Sequence, residues 1–243
     1  MKFSQKIDKE KSKIKKMFND IAENYDFLNH ILSFNMDKLW RKKSIDILAN
    51  SVKISKPEIL DIATGTGDMA IAALFLNPNK IIGIDISDDM LKIARKKVID
   101  NGIDKIEFFE GDCEKLNFDN NSFDIITIAF GIRNFEDINK SFSEIYRVLK
   151  PGGHLLILEF LRSDLYLLRL LNNIYLKLII PLVGRIISKH KDAYSYLPKS
   201  METFLLPNQL YNLLTENGFS VIKKRFFSIR IVCLYLAKKN NFK

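Results

Sequence analysis

Residues 59–67 read Ile-Leu-Asp-Ile-Ala-Thr-Gly-Thr-Gly, an apolar run that breaks into a glycine turn. A second apolar run, residues 81–84, ends in Asp85, eighteen residues after Gly67. The pattern predicts a buried parallel strand, a tight turn, and a second strand that ends in a carboxylate. Gly65 and Gly67 let the backbone approach a ligand where a Cβ would clash, and Asp85 can accept hydrogen bonds from both hydroxyls of a ribose. We therefore expect a nucleoside-containing cofactor at the carboxyl ends of a parallel sheet.

The identity of that cofactor depends on two acidic residues outside the turn. Residues 65–70, Gly-Thr-Gly-Asp-Met-Ala, fit the dinucleotide fingerprint and leave NAD open. Asp61 ends the first strand, where a carboxylate can face a cationic methionyl group but would repel a pyrophosphate. Asp112 follows a third short strand, where an acid can meet the exocyclic amine of an adenine. These two positions favour S-adenosylmethionine over NAD.

Composition narrows the class of protein without deciding it. The chain has 243 residues, which suggests one domain, and its two cysteines, Cys113 and Cys233, form no C-x-x-C pair. The three histidines have no metal-ligand spacing, so we expect no metal. The start lacks a signal-peptide pattern and no long uncharged apolar run occurs, so we expect a cytoplasmic protein. The net charge of +9 suits nucleic acid or an anionic membrane surface and does not choose between them.

An alternation of apolar runs and helical patterns predicts the fold. Strands are expected near 58–62, 80–84, 105–109, 123–129 and 154–159, with helices between them and a helix stop at Lys150-Pro151-Gly152-Gly153. This rhythm indicates a parallel sheet with right-handed crossovers. A helix near 207–217 and strands near 219–226 and 230–237 complete the chain, and the short link between the last two requires antiparallel pairing. Helices near 6–24 and 37–49 form an N-terminal cap over residues 1–50, and residues 164–200 form a helical insert after strand five.

Four sequence blocks carry a family resemblance. They are Tyr25-Asp26-Phe27-Leu28-Asn29 with Trp40, residues 130–134 (Phe-Gly-Ile-Arg-Asn), residues 147–159, and residues 192–197 (Asp-Ala-Tyr-Ser-Tyr-Leu). In this order they resemble the class I S-adenosylmethionine-dependent methyltransferases and, more narrowly, the UbiE/MenG/Coq5 family of C-methyltransferases. The resemblance implies a single Rossmann-like α/β domain whose seven-stranded sheet is mostly parallel. Departures are Leu28 for Met, Asp37 for His, Leu161 for Ser and Ala129 for a Ser that touches the cofactor in some members.

The resemblance also implies site residues. Thr66, Asp85, Asp112 and Cys113 carry the cofactor, and the residue pattern adds Gly65, Gly67 and Asp61 to them. The implied reaction is C-methylation of a polyprenylated quinol ring, demethylmenaquinol to menaquinol. The ring carbon becomes nucleophilic when a neighbouring hydroxyl loses its proton, so the resulting oxyanion needs a partner.

Arg133 is the candidate partner for that oxyanion, with Asn134 orienting a ring oxygen or a water. The alternative interpretation of Arg133 is a loop arginine paired with Glu136 or Asp137. The quinol pocket is expected to include five side chains that equally suit anchoring of the helical cap: Tyr25, Asn29, Trp40, Tyr194 and Tyr196.

Several functional alternatives stay open at this point. The acceptor can be another aromatic small molecule, and an NAD-dependent oxidoreductase is a less favoured enzyme class. Nucleic acid is not expected as a partner, because no basic stripe with interleaved aromatic residues occurs. A homodimer is open. Peripheral association with the inner face of a membrane is also open, with the apolar insert at residues 165–187 as the segment that would admit a polyprenyl tail.

Overall fold

The computed structural model describes residues 10–162, 196, 199–228 and 230–240. Its strands are β1 (Glu58–Ile62), β2 (Lys80–Asp85), β3 (Ile106–Glu110), β4 (Phe123–Ala129), β5 (Leu149–Phe160), β6 (Phe219–Phe227) and β7 (Val232–Lys239). Its helices include α1 (Lys11–Leu32), α2 (Met36–Ser51), α3 (Asp68–Ala73), α4 (Asp88–Asp100), α5 (Ile138–Val148) and α6 (Pro207–Glu216). Residues 163–195, which hold most of the expected insert, lie outside the described part.

The strands form one seven-stranded sheet in the order β3-β2-β1-β4-β5-β7-β6. Strands β1 to β5 are parallel, and β7 is antiparallel to both β5 and β6. The predicted fold class and the antiparallel pairing at the end of the chain are therefore confirmed. Strand order reverses between β1 and β4, and ligands of open α/β sheets bind at the carboxyl ends of the strands at such a reversal.

The central strands are apolar on both faces, because helices cover both sides of the sheet. Leu60 and Ile126 join the hydrophobic cluster that holds α5 and α6, and Ile59 and Ile125 join the opposite cluster with α2, α3 and α4. All four side chains are at most 2% exposed. Because successive side chains of a strand point to opposite faces of the sheet, the core consists of two layers, one on each face, which hold the strands in position.

Two helix starts follow from their capping residues. Ser87 accepts a hydrogen bond from the backbone N–H of Met90 at the start of α4, as its sequence position predicts. Asp137 does the same for α5 through the N–H of Lys140. Both caps lie just beyond the carboxyl edge of the sheet, so they set where the loops of that edge turn.

Two predicted boundaries were wrong. Strand β5 begins at Leu149, directly after α5, so residues 150–153 lie inside the strand and do not precede it. A Cβ on Gly153 would lie only 2.8 Å from the carbonyl oxygen of Lys150, which explains glycine at that crowded position. Helix α1 runs on to Leu32 and does not end near residue 24, and its last turns bury Leu28. Among the described residues, no helix is long and apolar enough to span a membrane.

Candidate active site

A cavity lies at the carboxyl ends of β1, β2 and β4, at the reversal of strand order. About 720 Å³ of space free of protein atoms lies in and above it, part of that space being open solvent. Its floor comes from the turns that follow these strands, and α1 lies across it through Lys11, Ile14, Phe18 and Tyr25. The N-terminal helix is therefore a wall of the site and not only a cap on the core.

The backbone at this edge is strained where two strands end. Ala63, after β1, has a φ of +53°, and Phe130, after β4, has a φ of +58°. Both residues line the cavity. A Cβ on Gly131 would lie 2.5 Å from the Cβ of Ala63, so the two turns are pressed against each other. Left-handed non-glycine residues persist only where the surroundings hold them, and such residues cluster at functional sites.

Asp85 and Gly65 meet in the cavity, as the sequence predicts. The carboxylate of Asp85 accepts the N–H of Gly65 at 2.9 Å and the N–H of Ser87 at 2.8 Å, one on each oxygen. Each oxygen keeps a further acceptor position. Burial raises the pKa of Asp85, and these backbone hydrogen bonds oppose that rise. A half-buried carboxylate with spare acceptor positions beside a glycine turn suits a ligand diol.

Gly67 has a packing role. Its φ is +86°, and a Cβ there would lie 2.9 Å from the ring of Phe108 and 3.2 Å from the Cβ of Ala94. Gly67 is not among the described residues that line the cavity. The second glycine of the turn therefore allows the turn to pack against β3 and α4.

Asp61 departs from the sequence expectation that it faces a bound cation. Its side chain is 1% exposed and accepts hydrogen bonds from the hydroxyls of Thr64 and Thr127, both at 2.6 Å. Burial raises the pKa of Asp61 to about 6, although both hydrogen bonds act in the opposite direction. Asp61 thus joins β1, its turn and β4 beneath the cavity, and it is not among the described lining residues.

Thr66 ties the glycine turn to α1. Its hydroxyl is buried and donates to Asp26 at 2.5 Å, and does not bond its own backbone. Lys97 also contacts Asp26 at 2.6 Å and reaches Asp68 at 2.7 Å. Sequence reasoning missed Asp26 as a functional position, although it stands in the family-like block beside Tyr25. The contact shows that α1 and the turn are held by a charged network.

The end of the cavity assigned to an adenine carries an ion-pair cluster. Lys11 of α1 contacts Asp112 and Glu114, both at 2.7 Å. These two carboxylates raise the pKa of Lys11 above its ordinary value although burial acts against that rise. Sequence reasoning missed Lys11 and Glu114, because each looks like a solvated charge until the helix is folded over the strand ends.

Cys113 lies between those two acids as a packed thiol. Its Sγ is 3.4 Å from the hydroxyl of Ser141, and the side chain packs against the core beneath. Burial raises the pKa of Cys113 to about 12, so the group stays a neutral thiol. This agrees with the expectation that any contact with a ligand runs through its backbone.

Arg133 is more deeply buried than expected, and its partner is a different residue. The guanidinium is 5% exposed and pairs at 2.7 Å with Glu159 of β5, whose side chain is fully buried. The same guanidinium group donates to the carbonyl oxygen of Phe130. The predicted partners Glu136 and Asp137 were wrong, because the buried carboxylate of the next strand is nearer than the exposed loop.

Glu159 is held from three sides beneath the cavity. It accepts the backbone N–H groups of Arg133 at 3.2 Å and of Phe160 at 2.8 Å in addition to the guanidinium. Burial raises the pKa of Glu159, while Arg133 and the two N–H groups oppose that rise. Arg133 is not among the described residues that line the cavity, so the Arg133–Glu159 ion pair lies beneath the cavity floor.

Asn134 and Tyr25 are two further lining residues, and Tyr25 lies beside the glycine turn, 4.0 Å from the position of a Cβ on Gly65. Asn134 lines the cavity, and its side-chain oxygen accepts the hydroxyl of Tyr196 at 2.9 Å. Burial raises the pKa of Tyr196 to about 12 although the charge of Arg133 lowers it. Burial also raises the pKa of Tyr25, which Arg133 and a hydrogen bond with Asn29 oppose. Tyr25 and Tyr196 are thus brought near the Arg133 charge, and Asn29 and Asn134 each bond one of these tyrosines, while Tyr194 lies outside the described residues.

Comparison with known proteins decides the family. The model of the ubiE/COQ5 methyltransferase family matches residues 5–239. The chain belongs to this family. The demethylmenaquinone methyltransferase of Bacteroides fragilis is 45% identical over 95% of this chain and 94% of its own length. The ubiquinone/menaquinone biosynthesis C-methyltransferase UbiE of Campylobacter jejuni is 39% identical over 93% of this chain and 97% of its own.

A solved structure supports the same assignment at the level of the fold. The S-adenosylmethionine-dependent methyltransferase of Aquifex aeolicus has a TM-score of 0.61 and 18% identity, and covers 81% of this chain and 89% of its own. This family member is accordingly a S-adenosylmethionine-dependent methyltransferase with the Rossmann-like fold, and the oxidoreductase alternative falls away.

The described residues fit the family's methyl donor. The open turn at Gly65, where a Cβ would lie 4.0 Å from Tyr25, leaves room for a ligand under α1. Asp85 offers acceptors for a ribose, and Ile86 and Met90 give that part of the cavity an apolar wall. The carboxylates of Asp112 and Glu114 suit the exocyclic amine of a nucleobase. The lining of this part of the cavity therefore fits a nucleoside.

Trp40, part of the family-like sequence block, anchors α2 and does not line the described cavity. Its indole N–H donates to the hydroxyl of Ser228 at 2.9 Å, and its ring is 5% exposed. It packs between Phe130 and Phe160 at centroid distances of 6.1 Å and 5.9 Å. The structure therefore favours the anchoring role over the pocket role for this residue.

One group of potential metal ligands lies outside the cavity. Ligand atoms of His30, Asp37 and Asp68 lie within 4.8 Å of one another. The guanidinium of Arg41 already contacts Asp37 at 2.6 Å and Asp68 at 3.5 Å. Burial opposes ionisation of Asp37, but hydrogen bonds from Ser33 and Arg41 hold its pKa below the ordinary value. Arginine thus supplies the positive charge in this cluster.

Proposed function

We propose that this methyltransferase methylates a ring carbon of a polyprenylated quinol, converting demethylmenaquinol to menaquinol. The observation that carries the proposal is one cavity at the reversal of strand order that is lined by Asp85 and Gly65 and also by Tyr25 and Asn134. We assign both the nucleoside and the aromatic ring to this cavity. The printed names of the relatives supply the class of acceptor.

Binding of the donor is assigned to the polar groups of the first three strand ends. S-Adenosylmethionine, when bound, supplies a methyl group activated by its sulfonium charge. Asp85 and Gly65 hold the ribose, and Asp112 with the backbone at Cys113 holds the base. Thr66 contributes indirectly, because its hydroxyl holds Asp26 and thereby keeps α1 over the turn. The helix excludes water from the ring and the methyl group.

Activation of the acceptor is assigned to the end of the cavity near Arg133. A free phenol titrates near a pKa of about 10, as tyrosine does, so a ring hydroxyl needs help to lose its proton near neutrality. We assign contact with the ring oxygen to the side-chain amide of Asn134, which Tyr196 orients. Arg133 stabilises the developing anion through its field from beneath the floor, and Glu159 holds it there. Its role is electrostatic, without direct contact.

The experiment compares acceptors at equal concentration with labelled S-adenosylmethionine. Reduced demethylmenaquinone and the corresponding demethylated benzoquinol are assayed side by side, with a simple catechol as a matched non-quinol control. We expect a labelled methyl group on a ring carbon of the naphthoquinol and at most a trace of label in the catechol. Equal or faster labelling of the catechol would favour another aromatic acceptor and refute the proposal. Equal labelling of both quinols would widen the acceptor class without changing the reaction.

A further inference from the structure

The solvent-exposed face of α1 changes character along its length. In its first half this face carries charged residues, among them Lys13, Lys16 and Asp20. In the last turns the same face carries Phe27, 56% exposed, and Ile31, 42% exposed. Residues three or four apart share a helix face, so this is one stripe that turns from charged to apolar. Solvated helix faces normally stay polar to the end.

The turn after α1 extends the apolar stripe at a conformational cost. Phe34 has a φ of +52° and Asn35 a φ of +59°. Asparagine tolerates this left-handed conformation, whereas an aromatic residue adopts it rarely. The Phe34 side chain is nevertheless 71% exposed, and Leu39 at the start of α2 is 37% exposed. We call Phe27, Ile31, Phe34 and Leu39 the apolar tip of the α1–α2 hairpin.

Exposed lysines stand beside the apolar tip. Lys38, Lys42 and Lys43 are all exposed on the first turns of α2. Lysines that flank exposed aromatic and aliphatic side chains are the composition of a segment that lies in a membrane interface, where rings enter the headgroup region and ammonium groups meet anionic lipid. The net charge of +9 acts in the same direction.

We propose that the apolar tip docks this enzyme on an anionic lipid bilayer. The inference rests on the proposed function, because a polyprenyl tail keeps the acceptor in lipid while the described residues contain no helix that could span a membrane. Tyr25 of the same helix lines the cavity, so the helix that carries Phe27 and Ile31 on its outer face also forms a wall of the site on its inner face.

The test is cosedimentation of the full chain with vesicles of equal parts phosphatidylglycerol and phosphatidylcholine. Phe34→Ser is compared with Phe75→Ser, since Phe75 is 70% exposed at the opposite edge of the sheet. We expect about a tenfold loss of vesicle affinity for Phe34→Ser, from the apolar area of one ring, and no loss for Phe75→Ser. Phe27→Ser gives a second reading if the first variant folds poorly.

The electrostatic part is tested by Lys42→Glu against Lys96→Glu, which lies on α4 and makes the same change in net charge. We expect weaker binding only for Lys42→Glu, and loss of binding to vesicles of phosphatidylcholine alone in every case. Equal effects of the two lysine changes or of the two phenylalanine changes would overturn the assigned surface. If the wild-type protein did not bind vesicles, docking itself would be overturned. The same conclusion would follow if the wild type bound no vesicles but formed a dimer in ultracentrifugation that Phe34→Ser dissociated.

Activity assays separate this proposal from the proposed function. With a short-tailed, water-soluble quinol, Phe34→Ser should turn over like the wild type, whereas with long-tailed quinol in anionic vesicles it should be about tenfold slower. Vesicle binding without methylation of any quinol would refute the proposed function and leave the docking surface standing. Equal losses on both quinols would refute the docking role.

Discussion

Two carboxylates are buried at the carboxyl ends of β1 and β5, the two strands that flank β4, and they are held by different kinds of partner. Asp61 at the end of β1 is held by two neutral threonine hydroxyls. Glu159 at the end of β5 is held by the guanidinium of Arg133 and by two backbone N–H groups. Under the proposed function, the donor side of the cavity thus lies over a carboxyl held by two hydroxyl groups, and the acceptor side lies over an ion pair.

The difference follows from what each side has to hold. On the donor side, Asp85 reaches the cavity itself and can contact a ligand, so the carboxylate below it is structural. On the acceptor side, the charge that matters for a phenolate is positive and lies below the floor. A buried guanidinium keeps its place only with a counter-charge. Glu159 therefore supports the site without touching a ligand.

Removing one partner of the ion pair should have the largest effect on stability. Glu159→Ala leaves Arg133 charged and 5% exposed without its carboxylate. We expect the free energy of unfolding to fall by about 3–5 kcal/mol, measured by urea denaturation. The double change Arg133→Met with Glu159→Leu removes both charges and should recover most of that loss while methyl transfer stays slow. If the free energy of unfolding of Glu159→Ala lay within about 1 kcal/mol of the wild-type value, the result would contradict the pairing of Arg133 with Glu159.

Asp85→Ala should break the donor side in a different way. Two hydrogen bonds to a charged acceptor are lost, each worth about 1.5–3 kcal/mol. We expect the Kd for S-adenosylmethionine to rise at least about 100-fold by calorimetric titration. Asp61→Asn is the matched control, because Asp61 lies beneath the cavity and should leave that Kd nearly unchanged. Wild-type affinity in folded Asp85→Ala would remove Asp85 as the ribose ligand.

The hydrogen-bonded group of Asp61, Thr64 and Thr127 can be tested through the pH dependence of stability. The pKa of Asp61 in the folded protein is about 6, above its ordinary value, so folding favours the protonated carboxyl. The stability that the Asp61 carboxyl contributes to the wild type is therefore fully present below its pKa in the unfolded chain. It is lost as pH rises through its pKa in the folded protein. Asparagine does not titrate. Between pH 4 and pH 7 we expect Asp61→Asn to gain about 2 kcal/mol relative to wild type in urea denaturation. A pH-independent difference would show that Asp61 does not titrate as described.

Local patterns sufficed for the sheet and for the position of Asp85 beside the glycine turn. The apolar runs, the glycine turn and the acids at strand ends are short-range signals, and Asp85 and Gly65 meet as those signals predict. Helix length at α1 was misjudged, because its last turns carry apolar residues on two faces: Leu28 is buried, whereas Phe27 and Ile31 are exposed. Side-chain periodicity reports burial in apolar surroundings and says little about walls of a polar cavity.

Two other contacts of the site are encoded by no local pattern. Glu159 and Arg133 are 26 residues apart and meet only because β4 and β5 are neighbours. Thr66 and Asp26 are 40 residues apart and meet only because α1 folds back over the glycine turn. In each case the residue types were visible in sequence, but the partner was set by strand order and helix packing.

The smallest expected effect separates two neighbours at the adenine end. Cys113 is a neutral thiol packed on the core, so Cys113→Ala should change the Kd for S-adenosylmethionine by less than about twofold. Asp112→Asn should weaken binding more, about fivefold to tenfold, because it loses a charged acceptor and one of the two contacts of Lys11. Calorimetric titration of both variants at one ionic strength measures the contrast, with Ser141→Ala as a control for packing around the thiol. If Cys113→Ala abolished binding and Asp112→Asn did not, the thiol would be the ligand group, and the adenine end would be apolar and not acidic in its chemistry.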